Sequence, residues 1–197
     1  RADQVLLDAT YSGSRIALGE NWDGAIFSSK AWGGPSGLSI MAIANSQQWR
    51  YPLPHIAPIR TPGGYSLPLL LGAAVALENF NEDQNKLDSL NHHLRKKITA
   101  EIPSAIVVGA HSKTLSNFQT IVFPGTVSEM LVRELEANSI SVDAGSACSP
   151  ADLAPSHVLA AMGLPTEGSL RLTLRVDHTE ADIDALVKAL VEVCRNF

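Results

Sequence analysis

Val142-Asp143-Ala144-Gly145-Ser146-Ala147-Cys148-Ser149-Pro150 runs from an apolar, strand-like segment into a loop of small residues, with Cys148 near its tip. Gly145 permits unusual backbone angles, and its small neighbours leave the thiol accessible. An exposed thiol suits nucleophilic attack, because the thiolate is the reactive species. A small cysteine that serves only as packing is the alternative reading. Upstream, Thr126-Val127-Ser128-Glu129 has the spacing of a capping box. It predicts a helix through Leu135 that stops at Asn138, followed by a strand over Ser139–Val142. Downstream, Ser169-Leu170-Arg171-Leu172-Thr173-Leu174 places Arg171 inside an apolar run. A guanidinium there needs an anionic partner, either a structural carboxylate or the carboxylate of a substrate. Thr179-Glu180-Ala181-Asp182 predicts a second cap. Its helix carries Ile183, Leu186, Val187, Leu190, Val191 and Cys194 on one face, so Cys194 reads as packing.

The first part of the chain alternates short apolar runs with turns. Val5–Thr10 reads as a strand containing Asp8, Gly24–Ser28 as a second and Leu38–Ala44 as a third, in a sheet buried on both faces. An acid at a strand end, with Lys30 in a Gly-rich loop one strand later, matches the needs of a pyridoxal phosphate site. There a lysine forms a Schiff base and an acid pairs with the pyridinium nitrogen. A solvated lysine and a turn aspartate are the plain alternative. Asn45–Tyr65, with four Pro and two Gly, reads as a loop lining something. Ser66 and Pro68 open a helix that is apolar nearly all round and so is expected to be buried. Composition turns polar at Asn81–Asp83, the expected domain boundary. The next helix, Asp83–Ile102, carries Leu87, Leu90, Leu94 and Ile98 at helical spacing, and Ala105–Val108 and Phe118–Phe123 read as strands. Such alternation predicts an α/β or α+β class.

The 197 residues are enough for one large or two small domains. Hydrophobic residues at 45% against 18% charged exclude disordered, collagen-like and coiled-coil chains. A net charge of −5 without clustered Lys and Arg argues against a nucleic-acid surface. The longest apolar run, Leu67–Leu77, is cut by Pro68 and Gly72 and is too short to span a membrane. Two distant cysteines form neither a disulfide framework nor a zinc site, and the scattered His residues suggest no metal. No signal peptide is visible, which makes the cytoplasm the expected compartment. The sequence opens on Arg1, the expectation for a fragment, a processed product or a truncated reading frame.

Taken in order, these pieces resemble the C-terminal half of a cysteine desulfurase of the class V aminotransferase family. Val142–Ser149 resembles the family's sulfur-accepting Cys loop. Asn117, Phe123-Pro124-Gly125 and Glu129 precede it, and Pro155-Ser156-His157-Val158-Leu159 and Met162-Gly163-Leu164 follow it. Leu170–Leu174 is similar to the segment whose Arg binds the substrate carboxylate, and Asp8-Ala9-Thr10 to the strand end whose Asp holds the pyridine nitrogen. Arg60, Gly63 and Leu67-Pro68 resemble the loop that reaches a neighbouring subunit's cofactor phosphate.

The resemblance implies fold type I of the pyridoxal phosphate enzymes, an α/β fold. Residues 1–81 would end the large domain, and 82–197 would form an α+β small domain carrying the Cys loop. It implies pyridoxal 5'-phosphate held by Asp8, Ser28, Tyr11 and Lys30, with Lys30 as the linking lysine. L-cysteine would be gripped by Arg171, and its sulfur would pass to Cys148 as a persulfide while alanine leaves. A sulfur-acceptor protein, a role such as iron–sulfur cluster assembly, and a homodimer follow, with no nucleic-acid or membrane partner. The half of the family's chain absent here would supply the phosphate-binding turn and the group stacked on the ring. The departures are local. Ser28 and Gly34-Pro35 align without a gap only if Ala31 takes the lysine position and Lys30 that of the preceding His. Tyr11 replaces a Gln, Arg175 a Gly, and the loop Thr61–Tyr65 is longer than the family's. Two other readings stay open. One is a non-catalytic relative that binds partners. The other is a class V aminotransferase or selenocysteine lyase, although a plain aminotransferase needs no thiol.

Overall fold

The computed structural model describes residues 4–13, 15–47, 49–50, 64–144 and 156–195. The chain divides into two units, Arg1–Asn81 and Glu82–Phe197, and each is described by itself.

In the first unit three short strands form a mixed sheet in the order β1 (Leu6–Asp8), β2 (Gly24–Ser28), β3 (Ser39–Ile43). β1 runs parallel to β2, with Asp8 opposite Ile26, and β3 is antiparallel to β2. The expectation of a sheet buried on both faces is not met: Val5, Leu6 and Met41 are exposed, and Ala25 in the central strand is fully buried. β1 and β3 each have one neighbour, so only β2 is flanked on both sides among the described residues. A one-turn 3-10 helix, Ser29–Trp32, follows β2. Its buried corners, Ser29 and Trp32, lie three residues apart and therefore on one side of the turn.

Helix α1 (Leu67–Glu78) starts at Ser66, with Pro68 in its first turn, although the Ser66 side chain makes no cap bond. It is not the buried helix that its composition predicts. Only Ala73 is buried, while Leu67, Leu71, Val75 and Leu77 are exposed. The reason lies in the packing: the helix rests on the 3-10 turn along one narrow line. There the Trp32 Nε1–H donates to the Ala73 carbonyl at 3.0 Å.

The second unit places a four-stranded antiparallel sheet, in the order β4 (Ile106–Val107), β5 (Phe118–Val122), β7 (Ser169–Thr173), β6 (Asp143–Ala144), with three helices. These are α2 (Gln84–Glu101), α3 (Ser128–Ala137) and α5 (Glu180–Cys194); the short α4 (His157–Ala161) precedes β7. Helical spacing brings Leu87, Leu90, Leu94 and Ile98 of α2 into one core with Leu131 and Leu135 of α3. Ile183, Leu186, Val187 and Leu190 of α5 and Ile121, Leu170 and Leu172 of the sheet complete it. Truncating a fully buried leucine such as Leu94 to Ala costs about 2–5 kcal/mol. Asp83 caps α2 by accepting from the Lys86 N–H at 3.0 Å. Thr179 and Asp182 cap α5 reciprocally, as their spacing predicts.

Two local expectations change. The predicted capping box at Thr126–Glu129 does not form. The Thr126 hydroxyl donates back to the Phe123 carbonyl at 2.7 Å, and α3 starts from Val127 without a side-chain cap. The predicted strand Ser139–Val142 is displaced to Asp143–Ala144. Ser139 has φ 61, the left-handed region, which turns the chain as it leaves α3. Residues 139–142 therefore reach β7 late, and a cleft of about 410 Å³ opens between them, β7 and α5.

Candidate functional site

Asp8 and Ser28 end two neighbouring parallel strands at the same edge of the first sheet. Ligands of open α/β sheets collect outside such carboxyl ends. The Asp8 carboxylate accepts from the Thr10 hydroxyl at 2.7 Å and from the Thr10 N–H at 3.0 Å. These bonds, the hydroxyl's foremost, hold the exposed Asp8 carboxyl below the ordinary carboxylate range, so it is ionised at neutral pH. Thr10 carries no chemical motif of its own in the sequence; the only signal for it is Asp-x-Thr, the spacing of a side-chain-to-backbone turn.

The turn after β2 sets the direction of Lys30. Ser29 is fully buried, and its hydroxyl donates to the Pro35 carbonyl. Trp32 is pinned to Ala73. With these two directed inward, Lys30 is exposed and Ala31 half-buried. Ala31 packs on the loop that follows Asp8: a Cβ placed on Gly13, at φ 51, would lie 2.6 Å from the Ala31 Cβ. Gly13 is thus required for close approach, and this contact joins the loop bearing Tyr11 to the turn bearing Lys30. Tyr11 is exposed in that loop, and Ser28 is half-buried at the entry to the turn. Among the described residues no carboxylate lies within salt-bridge distance of the Lys30 amine. Gly13 carries no chemical signal in the sequence, because its contact depends on a residue two elements away.

In the second unit Arg171 is central in β7, opposite Thr120 of β5 and Asp143 of β6. It is half-buried, and among the described residues no carboxylate lies within salt-bridge distance of its guanidinium. The structural ion pair considered for Arg171 is therefore not found among them. Arg175, the other unusual arginine, is accounted for locally. It is exposed and grips Asp177 at 2.9 and 3.0 Å. Cys148 and Arg60 lie outside the described residues. Cys194 is half-buried on α5, and burial raises its thiol above the ordinary range, as befits a packing residue.

The aminotransferase class-V pattern matches residues 61–186, which is more than half of the chain. The chain belongs to the aminotransferase class-V family. It is 40% identical over 132 residues to the cysteine desulfurase IscS of Clostridium botulinum, covering 64% of this chain and 33% of that protein. It is 30% identical over 168 residues to a cysteine desulfurase of Nostoc sp., covering 81% of this chain and 42% of the other. Among solved structures, a NifS-like protein of Rickettsia africae superposes with a TM-score of 0.77 at 23% identity, over 96% of this chain and 53% of that one. The cysteine desulfurase CsdA of Escherichia coli superposes with a TM-score of 0.73 at 19% identity, over 98% and 52%. The fold is therefore fold type I of the pyridoxal phosphate enzymes, represented in part. This class V chain spans less than half the length of the curated relatives it matches.

Proposed function

We propose that this class V aminotransferase homologue takes part in a pyridoxal phosphate-dependent cysteine desulfurase reaction. Residues 1–81 would be the end of the large domain and 82–197 the small domain. The observation that carries the reading is topological: Asp8 and the turn bearing Lys30 follow the carboxyl ends of neighbouring parallel strands. An ionised carboxylate, Asp8, and an amine without a described carboxylate partner, Lys30, leave neighbouring parallel strands at their carboxyl ends.

That donor set fits pyridoxal phosphate. Asp8 would face the pyridine nitrogen and keep it protonated, while Ser28, Tyr11 and Lys30 would complete the protein's hold. When bound, the cofactor supplies an electron sink for the pair released at the substrate's α-carbon. The rest falls to the chain's own residues. Arg171, which meets no carboxylate within salt-bridge distance among the described residues, would grip the carboxylate of L-cysteine, orienting its sulfur. The Cys148 thiolate would attack that sulfur. A new S–S bond forms as the substrate's Cβ–S bond breaks, and the electron pair stays on carbon, which takes up a proton. The products are a Cys148 persulfide and alanine, with no external oxidant. An acceptor protein then takes the terminal sulfur. A thiol nucleophile favours a reducing compartment, so the cytoplasm is the proposed location; a homodimer is the assembly proposed from the resemblance to cysteine desulfurases. None of the described helices is long and apolar enough to cross a membrane.

The test is chemical. The purified protein is incubated with pyridoxal phosphate, reduced with borohydride and mapped by mass spectrometry; separately, L-cysteine is added and alanine and persulfide are measured. The expected results are a label on Lys30, and alanine formation that Cys148→Ala abolishes while the label persists. A label on no lysine removes Lys30 from the proposal. Undiminished persulfide in the Cys148→Ala variant removes Cys148.

A further inference from the structure

On α2, Asp88, Asn91, His92 and Arg95 recur at helical spacing and line one side of a cleft of about 240 Å³. Its other side is the β4–β5 connection, with Ser112, Lys113, Thr114 and Ser116. The cleft lies wholly within the second unit and involves none of the groups assigned above.

Arg95 is its unusual member. Its side chain is half-buried, and its hydrogen-bonding is arranged from beneath. The Nε–H donates to Gln119 Oε1 at 2.7 Å, and Nη2 donates to Thr114 Oγ1 at 3.0 Å. Gln119 is 2% exposed. Its own amide is spent on the carbonyls of Val108 and Thr120, at 3.0 and 2.8 Å, which fixes its oxygen toward Arg95. The guanidinium is thus held in place by two neutral acceptors. Among the described residues no carboxylate comes within salt-bridge distance of it. A partly desolvated cation held this way retains N–H donors and a full charge without a counterion. The exposed Lys113 adds a second positive charge at the rim, and His92 a further ring donor or acceptor. The one carboxylate lining the cleft, Asp88, accepts from the Ser116 hydroxyl, and Asn91 Nδ2 donates to the Ser116 carbonyl at 2.9 Å. The floor of the cleft is therefore satisfied internally, while among the described residues its cations meet no carboxylate within salt-bridge distance.

We propose that this cleft is a binding site for a phosphate group, carried either by inorganic phosphate or by a small phosphomonoester, with Arg95 as the main ligand and Lys113 as the second. A planar guanidinium oriented by fixed acceptors is suited to an oxyanion's paired oxygens. A cleft of this volume leaves room beside the phosphate for a small organic group.

The test is calorimetric titration of the full chain, without pyridoxal phosphate, with inorganic phosphate and in parallel with glycerol 3-phosphate. Ionic strength is held constant with chloride. Saturable binding near about 1 mM is expected. Arg95→Gln is expected to weaken it about tenfold or more. Lys113→Gln is expected to weaken it less, and in a second titration series at lower chloride that loss is expected to grow as screening falls. Asp88→Asn tightens binding by removing the opposing charge, an effect that a purely structural role for the cleft would not produce. Tighter binding of glycerol 3-phosphate than of phosphate identifies an ester as the ligand class, and equal binding identifies the free ion. No saturable heat with either probe overturns the proposal. So does an affinity unaltered by Lys113→Gln and Asp88→Asn, which decide the matter if Arg95→Gln does not fold.

Discussion

Gly168→Ala should destabilise the second unit far more than a glycine substitution of the same backbone type close by. Gly168 has φ 68 and immediately precedes β7, the strand of Arg171. A Cβ there would lie 2.2 Å from the Phe123 carbonyl oxygen and 2.5 Å from Thr126 Oγ1. The first of these is backbone and cannot swing aside. It belongs to the residue whose N–H donates to the Gly168 carbonyl at 2.9 Å, so relief of the clash breaks that bond. A left-handed backbone costs an L-residue about 1–2 kcal/mol. Forced packing adds about 1–3 kcal/mol, and the lost hydrogen bond about 1 kcal/mol. The expected loss is about 3–6 kcal/mol. Gly125 supplies the control. Its φ is 83, but a Cβ there meets no atom within 4 Å, so Gly125→Ala should cost only the backbone share of about 1–2 kcal/mol. Urea unfolding followed by circular dichroism reads both. At a slope of about 2 kcal/mol/M the Gly168→Ala midpoint falls by roughly 1.5–3 M. A variant that yields no folded protein while Gly125→Ala folds is the same result in its extreme form. Equal losses in the two variants, within about 0.5 kcal/mol, would refute the steric reasoning.

Thr179→Ala removes the hydroxyl that accepts from the Asp182 N–H and donates to its carboxylate, and should cost about 0.5–2 kcal/mol in the same urea assay. Asp184 of α5 meets His93 at 2.8 Å and Lys97 at 3.2 Å, both on α2. The His93 hydrogen bond, then that of Lys97, lowers its carboxyl below the ordinary range. A depressed carboxylate stabilises the fold above its unfolded value, and that stability is lost as pH falls through the folded value. Asp184→Asn should therefore flatten the acid side of the stability profile below about pH 4. Urea midpoints across that range are the measurement, and parallel profiles for the two proteins would show that the pair does not act.

The second unit was the more legible in the sequence, for reasons visible in particular residues. Leu87, Leu90, Leu94 and Ile98 write a helical period that a single packed face must satisfy, and Thr179 with Asp182 marks the start of α5 within four residues. Such signals are local. The positions where the structure departs from local signals depend on partners far away in the chain or on competition for one hydroxyl. Thr126 could bond forward to cap a helix or back to Phe123, and the turn at Phe123–Thr126 favours the second. Leu67–Leu77 is apolar enough for a buried helix, but burial is decided by what packs on it, which its own composition does not state. The candidate site divides in the same way. Asp8, Lys30 and Arg171 stand out because charge at a strand end or inside a strand is unusual. Thr10 and Gly13 act through contacts and do not.

The geometry of the Ser29–Trp32 turn decides which residue would face the proposed cofactor. A 3-10 turn advances about 120° per residue. Once Ser29 and Trp32 are directed inward, Lys30 and Ala31 must leave on different sides. Ala31 takes the side that touches Gly13, in the loop after Asp8, and Lys30 takes the solvent side. A shift of one residue in register is therefore not a small slide along the chain but a change of face. For Lys30 to serve as the linking lysine, its flexible four-carbon stem must carry the amine around the turn toward Asp8, and the anchors at Pro35 and Ala73 hold the turn itself still. An exchange of roles is mechanically testable. Ala31→Lys places an amine on the Gly13 side of the turn. If the turn governs reach, borohydride labelling should move to the introduced residue when both amines are present. Labelling that stays wholly on Lys30 would show that stem length, and not the face of the turn, decides which amine meets the cofactor.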